Sequence, residues 1–507
     1  MTNILFYDTG DVRGELNEPI GIELIAANLL KKLDGHVRVD VKWFNFNSYL
    51  FNPLQYDIIG ISVHINGMGV FEHVYRLCRE SGFKGLIVAG NSVATFAWEK
   101  LLESYPDILC MIGEGEDAWI ELVREYQKER PDYSHVSNLA YLEQGQIILT
   151  PRTVCNMQDY LPPLRVFSQQ LRDCCGIARI EASRGCSWNQ CSFCGADHKY
   201  NHTGWRPIPL ETVLEQLNEL SRQGLTTVYF CDEDFIGSDY ARFSDLVDRI
   251  HEKMKQGELS SDMRFFISVK PADLLRQSSI ETIRHFMACG LKELFVGLES
   301  GCAAQLKRYN KCTTVKTNSL AVSRIRELEK DGLAIDIGFI FFDYYMTPGD
   351  IEENIHFIEN HKLYLLASSL IKPLRIQPHT KTFASTIEVH ANELLTDDLM
   401  YSYHFADDMV EQVWETYSEL ELETIAHKLQ SVYRRELSSD AERKVAERNL
   451  TELRVLQFSA LRTIVMCLIR REIDETQLKN RLGAVLSQAD RLLQKTAFPQ
   501  NKYPNNS

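Results

Sequence analysis

Along the first 130 residues, short continuous apolar runs alternate with stretches whose apolar positions recur every three or four residues. Residues 3–7 form a short apolar run, and residues 20–33 carry a helical spacing that closes near Gly35. Residues 37–43 alternate like a strand, and residues 57–63 read as a strand buried on both faces. A helix over 71–80 closed by Gly82 follows, then a strand over 86–89 leading into Gly90-Asn91-Ser92, and another over 108–112 leading into Gly113-Glu114-Gly115-Glu116. This βα repetition predicts a doubly wound parallel sheet, with the small residues after each strand gathered on its carboxyl edge, where such sheets bind ligands.

Residues 131–175 read as a bridge, with a hairpin over 139–142 and 146–149 turning at Gln144-Gly145, then an irregular Leu161-Pro162-Pro163-Leu164. From residue 176 to 385 the βα pattern returns, with strands expected over 178–182, 226–230, 264–269, 293–298, 334–342 and 370–377. Six such strands predict a partial (β/α)6 barrel, with polar strand ends placed as barrel enzymes place their sites. Beyond 385 the spacing is helical throughout: 394–420, 425–436, 450–471 and 475–495 are expected helices, and 499–507 a disordered tail. The helical part, 386–507, reads as a cap over the barrel, with a partner-docking bundle as the alternative.

Composition narrows this little. At 507 residues the chain needs more than one core, and 44% hydrophobic with 25% charged residues is an ordinary globular balance. A net charge of -15 argues against nucleic acid as the partner, and no apolar run approaches a membrane span. With 13 cysteines and no basic leader pattern at the first residues, a reducing cytoplasm is the expected compartment. The sequence has neither a GxGxxG after its first strand nor a phosphate-loop pattern, which disfavours a dinucleotide or a P-loop phosphate.

The chemistry concentrates in Ser183-Arg184-Gly185-Cys186-Ser187-Trp188-Asn189-Gln190-Cys191-Ser192-Phe193-Cys194-Gly195. Three thiols in one loop can hold a cubane iron–sulfur cluster and leave one iron open to a small molecule. Zinc is the competing reading, with His198 or His202 as a fourth ligand, although no second CxxC or HxxxH pair follows. Cys174-Cys175 is left outside the site, since adjacent cysteines seldom both point at one metal.

The loop resembles that of the radical S-adenosylmethionine (SAM) enzymes, whose usual pattern is CxxxCxxC with an aromatic residue before the last cysteine, as Phe193 stands here. The first gap in this chain is longer by one residue. The resemblance implies a [4Fe-4S] cluster on Cys186, Cys191 and Cys194 and SAM at the open iron. Later strand ends extend it. Asp232 and Glu233 fall where the family contacts the SAM amino group, and Glu299-Ser300-Gly301 falls near the ribose position. Arg308 falls where the SAM carboxylate is expected, and residues 338–342 occupy the adenine-contacting strand, without its usual second glycine.

The N-terminal part is similar to the cobalamin-binding domain of one large subgroup. That likeness rests on Glu18-Pro19-Ile20-Gly21, Gly60-Ile61-Ser62, Ala89-Gly90-Asn91 and Gly113-Glu114-Gly115-Glu116. It implies a cobalamin site including Pro19, Ser62, Val63, Gly90, Asn91, Gly113, Glu114 and Gly115. No DxHxxG follows the first strand, so no lower axial histidine is expected, and His64 is read as a polar loop residue.

The reaction implied is methylation of an unactivated carbon, with radical cyclisation or rearrangement as the alternative within the family and a non-catalytic cluster- or zinc-bearing protein as the alternative outside it. A small-molecule or peptide substrate is implied, together with an electron donor such as flavodoxin or ferredoxin.

Overall fold

A computed structural model describes residues 1–10, 16–367, 370–386, 394–395, 398–434 and 440–495. The chain divides into two compact units, one of residues 1–269, 277–292 and 375–402, the other of 270–276, 293–374 and 403–507.

The first unit opens with a sheet of strands β1 (Thr2–Asp8), β2 (Val37–Trp43), β3 (Ile58–Ser62), β4 (Leu86–Gly90), β5 (Leu109–Met111), β6 (Leu139–Glu143) and β7 (Gln146–Leu149). Their spatial order is β2-β1-β3-β4-β5-β6-β7, with β1 to β5 parallel and the last two antiparallel. The order changes direction beside β1, which places a crevice at the carboxyl ends of β1 and β3. Every residue of β3 is buried, because helices cover both faces. Ile4, Phe6, Ile58 and Val88 pack against Trp119 and the helix Ile20–Lys32 on one side; Leu5, Ile59, Ile61 and Ala89 pack against Phe71 and Val74 on the other.

The hairpin expected within a bridge is part of this sheet: Leu139 pairs with Met111, and Tyr141 with Leu109. Its buried Leu139, Ala140 and Tyr141 complete an edge that β5 alone would leave open. The helix expected at 71–80 starts earlier, at Met68.

The same unit continues into parallel strands β8 (Ala178–Ile180), Thr227–Phe230 and Arg264–Val269. In the second unit, Leu291–Glu299 runs parallel to Ala334–Phe339, paired from Glu293 onward. The expected sixth barrel strand over 370–377 is not a ladder. It makes isolated bridges only, Phe342 with Pro373 and Ile376 with Tyr401. Pro373 has no N–H to donate, so a continuous strand through it loses its hydrogen bonds.

The expected helix over 394–420 is also corrected. Leu394–Leu395 pairs antiparallel with Met400–Tyr401, and helix begins only at Asp408, where the Asp407 carboxylate accepts from the N–H groups of Met409 and Val410. Helices Leu422–Arg434, Asp440–Leu468 and Glu475–Lys495 follow. The expected tail over 499–507 lies outside the described residues.

Candidate active site

The cysteine loop leaves β8 through Ser183–Arg184, which pairs antiparallel with Arg206–Pro207. Gly185 carries a φ of +80°, and a Cβ there would stand 2.4 Å from the Gly204 carbonyl oxygen, so only glycine makes this turn. Cys186, Cys191, Phe193 and Cys194 are all half-buried. On the far side, the Thr382 N–H donates to the Ser192 carbonyl at 2.8 Å.

Three successive carboxylates after Thr227–Phe230 go three ways. Asp232 turns back under the loop's first residues, accepting from the Ala182 N–H at 3.0 Å and the Ser183 hydroxyl at 2.5 Å. Burial pushes its pKa up to about 8, so the group is neutral at pH 7. Asp234, wholly buried, accepts from the N–H and hydroxyl of Ser187 and from the Gly237 N–H, and lies 3.7 Å from the Cys186 sulfur. The sequence reading passed over Asp234, although the acidic run at a strand end was its signal.

Glu233 accepts from the Tyr200 hydroxyl at 2.7 Å and Lys199 Nζ at 2.9 Å through one oxygen. Its other oxygen is buried without a protein hydrogen-bond partner among the described residues. A buried acceptor left open is costly unless a ligand donor completes it. The position expected for the SAM amino group therefore has an oxygen to offer an ammonium.

Arg184 is the charge centre of the loop. Its guanidinium, only 5% exposed, lies 2.5 Å from Glu116, 2.9 Å from Glu181 and 3.4 Å from Glu114. Glu114 also pairs with Arg206 and accepts from the Cys155 N–H. Burial opposes ionisation of Glu116, but the adjoining Arg184 charge outweighs it and holds the carboxyl below the usual range. The Gly113-Glu114-Gly115-Glu116 turn thus uses its acidic side chains to anchor the SRG segment. Gly113, at a φ of +76°, packs where a Cβ would stand 2.7 Å from the Lys199 carbonyl oxygen. Gly115 lies at the start of the helix Glu116–Tyr126.

At the carboxyl edge of the first sheet, the Asn91 amide donates to the Ser62 hydroxyl at 2.9 Å. His64 Nε2 lies 2.8 Å from Asp8, a carboxylate at the end of β1. The sequence reading treated His64 alone; Asp8 comes to it only through the pairing of β1 with β3. A Cβ on Gly90 would have nothing nearer than the Ile61 carbonyl oxygen at 4.0 Å, so space opens beside that strand end. Val63 is fully buried and ties the loop to β4 through a 3.0 Å bond from its N–H to the Gly90 carbonyl. Pro19 starts the helix Ile20–Lys32 next to Glu18, whose carboxylate pairs with buried Arg165 and accepts from the Arg179 N–H.

His198 and His202 are both engaged away from the thiols. His198 stacks on His379 at 4.5 Å and contacts the Thr95 carbonyl, and burial lowers its pKa to about 3. His202 meets Asp197 at 3.0 Å.

In the second unit, Glu299 has a φ of +65° at a break in the ladder and accepts from Lys311 Nζ at 2.9 Å. Such backbone geometry costs a non-glycine residue about 1–3 kcal/mol and clusters at functional sites. Ser300 is buried in a network with Gln305 and Asn354, and Arg308 pairs with Asp343 at 2.9 Å and Asp350 at 3.0 Å. Ser300 and Arg308 thus hold the loop after this strand among protein partners.

Residues 180–359 match the radical SAM superfamily. This segment is a radical SAM domain, of the superfamily that implies a [4Fe-4S] cluster and SAM. Its curated relatives include 4'-phospho-dehydrooxetanocin synthase of Priestia megaterium, 29% identical over 64% of this chain and 44% of that protein. The hopanoid C-2 methylase of Rhodopseudomonas palustris is 27% identical over 62% and 56%, and the anaerobic magnesium-protoporphyrin IX monomethyl ester cyclase of Cereibacter sphaeroides 24% over 54% and 45%. The chain spans about half the length of the curated relatives it matches.

Among solved structures, the cobalamin-dependent SAM radical enzyme OxsB with aqua-cobalamin bound superposes with a TM-score of 0.78, 19% identity, over 98% of this chain and 80% of that one. The radical SAM methyltransferase TsrM from Kitasatospora setae gives 0.63 at 16% identity, over 76% of each chain. These likenesses establish the fold: an N-terminal doubly wound sheet, a radical SAM α/β domain and C-terminal helices. No described helix is long and apolar enough to cross a membrane.

Proposed function

We infer that this chain is a cobalamin-dependent radical SAM enzyme that modifies an unactivated carbon of a small molecule or peptide. The observation that carries the reading is the Arg184 charge cluster, which joins the turn after β5 directly to the segment bearing Cys186. A sheet edge open to a corrin and a loop bearing three thiols are thereby held as one piece within the first unit.

When bound, the cluster and SAM supply a radical able to take a hydrogen atom from carbon, and cobalamin supplies a carrier for a methyl group or an electron. The chain's own residues do the rest. Cys186, Cys191 and Cys194 would hold the cluster, with Asp234 ordering the first of them. Glu233 would receive the SAM ammonium on its open oxygen. Glu299, fixed by Lys311, keeps a carboxylate and a strained backbone at the end of its strand in the second unit. Ser62, Gly90 and Asn91 leave the first sheet's edge small enough for a flat macrocycle, and Asp8 fixes the orientation of His64 there. Burial of the Arg184 cluster excludes water from the base of the loop.

Methyl transfer is the first reading, supported by the likeness to a methylase and to a methyltransferase fold. Ring formation without methyl transfer is the second, supported by the cyclase relatives. A flavodoxin or ferredoxin is the proposed reductant.

Anaerobic purification with iron and cobalamin supplied, then metal analysis and a visible spectrum, tests the cofactors. About four irons per chain with a corrinoid spectrum is expected. Iron without corrinoid after loading overturns the cobalamin reading. Product mass separates the two reactions: a gain of one CH2 marks methylation, and loss of hydrogen alone marks ring closure.

A further inference from the structure

Helices Tyr240–Lys255 and Gln277–Ala288 pack against each other in the first unit. They bring together three potential metal ligands that the radical chemistry does not use. His285 and Cys289 are four residues apart, so they share one face of their helix end. His251 meets them from the neighbouring helix. One ligand atom from each residue lies within 4.8 Å of the other two.

The distances fit a four-coordinate ion. His251 Nδ1 and the Cys289 sulfur are 3.4 Å apart. With Zn–S near ~2.3 Å and Zn–N near ~2.0–2.1 Å, tetrahedral angles put a sulfur and a nitrogen ligand ~3.5 Å apart. His285 also carries the arrangement that usually orients a metal-bound imidazole. Its Nδ1 faces the Asp248 carboxylate at 3.2 Å, which leaves Nε2 as the metal-binding nitrogen. The two rings stand nearly edge to face with centroids 4.7 Å apart, so both nitrogens can converge without stacking.

We propose that His251, His285 and Cys289 form a zinc site, oriented by Asp248, that ties helix Tyr240–Lys255 to the end of helix Gln277–Ala288. Its fourth position is left to water. Cys289 is only 2% exposed. A cysteine binds zinc as its thiolate, so the Cys289 proton passes to solvent as the Zn–S bond forms. No oxidant or reductant is involved.

The test uses the full chain with its cluster loaded anaerobically, so that Cys186, Cys191 and Cys194 are occupied by iron. After dialysis against chelator-buffered zinc, zinc and iron are measured together, and the zinc X-ray absorption fine structure is recorded. About one zinc per chain is expected, with one sulfur near ~2.3 Å and two nitrogens near ~2.0–2.1 Å. Cys289→Ser is expected to lose the zinc and keep the iron. Should that buried change impair folding, His285→Gln, at a residue 35% exposed, makes the same demand. Asp248→Asn is expected to weaken zinc binding about 10–100-fold. Zinc well below one per chain, zinc retained in His285→Gln, or a shell of three sulfurs each overturns the proposal. None of these readouts depends on cobalamin or on turnover, so the outcome stands apart from the proposed reaction.

Discussion

Removing the Arg184 charge while keeping its bulk, by Arg184→Met, isolates the electrostatic core of the site. Glu114 retains Arg206 after the change, but Glu116 and Glu181 lose their cation. Breaking a buried pair by deleting one partner costs about 3–5 kcal/mol, because the remaining charge is left uncompensated. Protonation caps that cost. To neutralise a carboxyl with an ordinary pKa of 4.5 at pH 7 takes about 3.4 kcal/mol, from 1.36 kcal/mol for each of 2.5 pH units. At pH 5 the same step takes about 0.7 kcal/mol. The deficit of the variant is therefore expected to be about 3–5 kcal/mol at pH 7 and to shrink toward about 1 kcal/mol at pH 5.

The sign agrees with the parent protein. The folded pKa of Glu116 is depressed, so its contribution is present above the unfolded value near 4.5 and is lost as pH falls below it. A chain of several domains does not unfold in one step, so the assay must be local. Amide exchange read by mass spectrometry over segments 109–119 and 178–187, corrected for intrinsic rates, gives the opening free energy at each pH. Adding Glu116→Gln to Arg184→Met is expected to recover part of the loss, although Glu116→Gln alone is destabilising. A loss under about 1 kcal/mol at pH 7, or an equal loss at both pH values, would refute the reasoning, because the carboxylates would then be solvated rather than buried.

Three further outcomes follow from individual contacts. Asp232 has its pKa raised to about 8, so the stability it contributes is present below its unfolded pKa and lost as pH rises through 8; Asp232→Asn is expected to remove a slope of about 1.4 kcal/mol per pH unit between pH 5 and 8 from exchange in segment 178–187. Asp234→Ala leaves the Ser187 and Gly237 donors without their acceptor, a loss of about 1–3 kcal/mol. Iron retained after gel filtration should drop, and Cys186 in the apo protein should be alkylated faster. Asn354→Ala removes the acceptor of the Gly301 N–H and a partner of Ser300; about 1–3 kcal/mol less protection is expected in segment 299–305, with none of that change in segment 178–187.

Where a strand is buried on both faces, its apolar run is continuous and its ends are legible. Expected and observed limits of β2 coincide, and those of β3 differ by one residue at each end. The sixth barrel strand misled because an apolar run from Leu370 to Gln377 conceals what Pro373 does to a ladder. The hairpin misled differently. Its turn was legible at Gln144-Gly145, but which sheet it joins depends on the open edge of β5, a tertiary fact. The late start of the helix at Asp408 had a local signal in Asp407, which periodicity alone overran.

The candidate site shows the same division more sharply. Residue types and their order located the thiols and the acidic strand ends, but not the direction of each side chain. Asp232, Glu233 and Asp234 are consecutive and chemically alike, yet one is a neutral prop for Ala182 and Ser183, one keeps an oxygen open, and one orders Cys186. The difference comes from what the fold sets opposite each: backbone N–H groups before the loop, Lys199 and Tyr200 after it, and Ser187 within it. Glu114 and Glu116 make the complementary case. Their glycine-rich turn reads as a ligand loop, but a buried guanidinium from 68 residues further along the chain claims Glu116. A buried arginine has to find carboxylates somewhere. Once Arg184 is known to be buried, the acidic residues nearest in the fold become its partners.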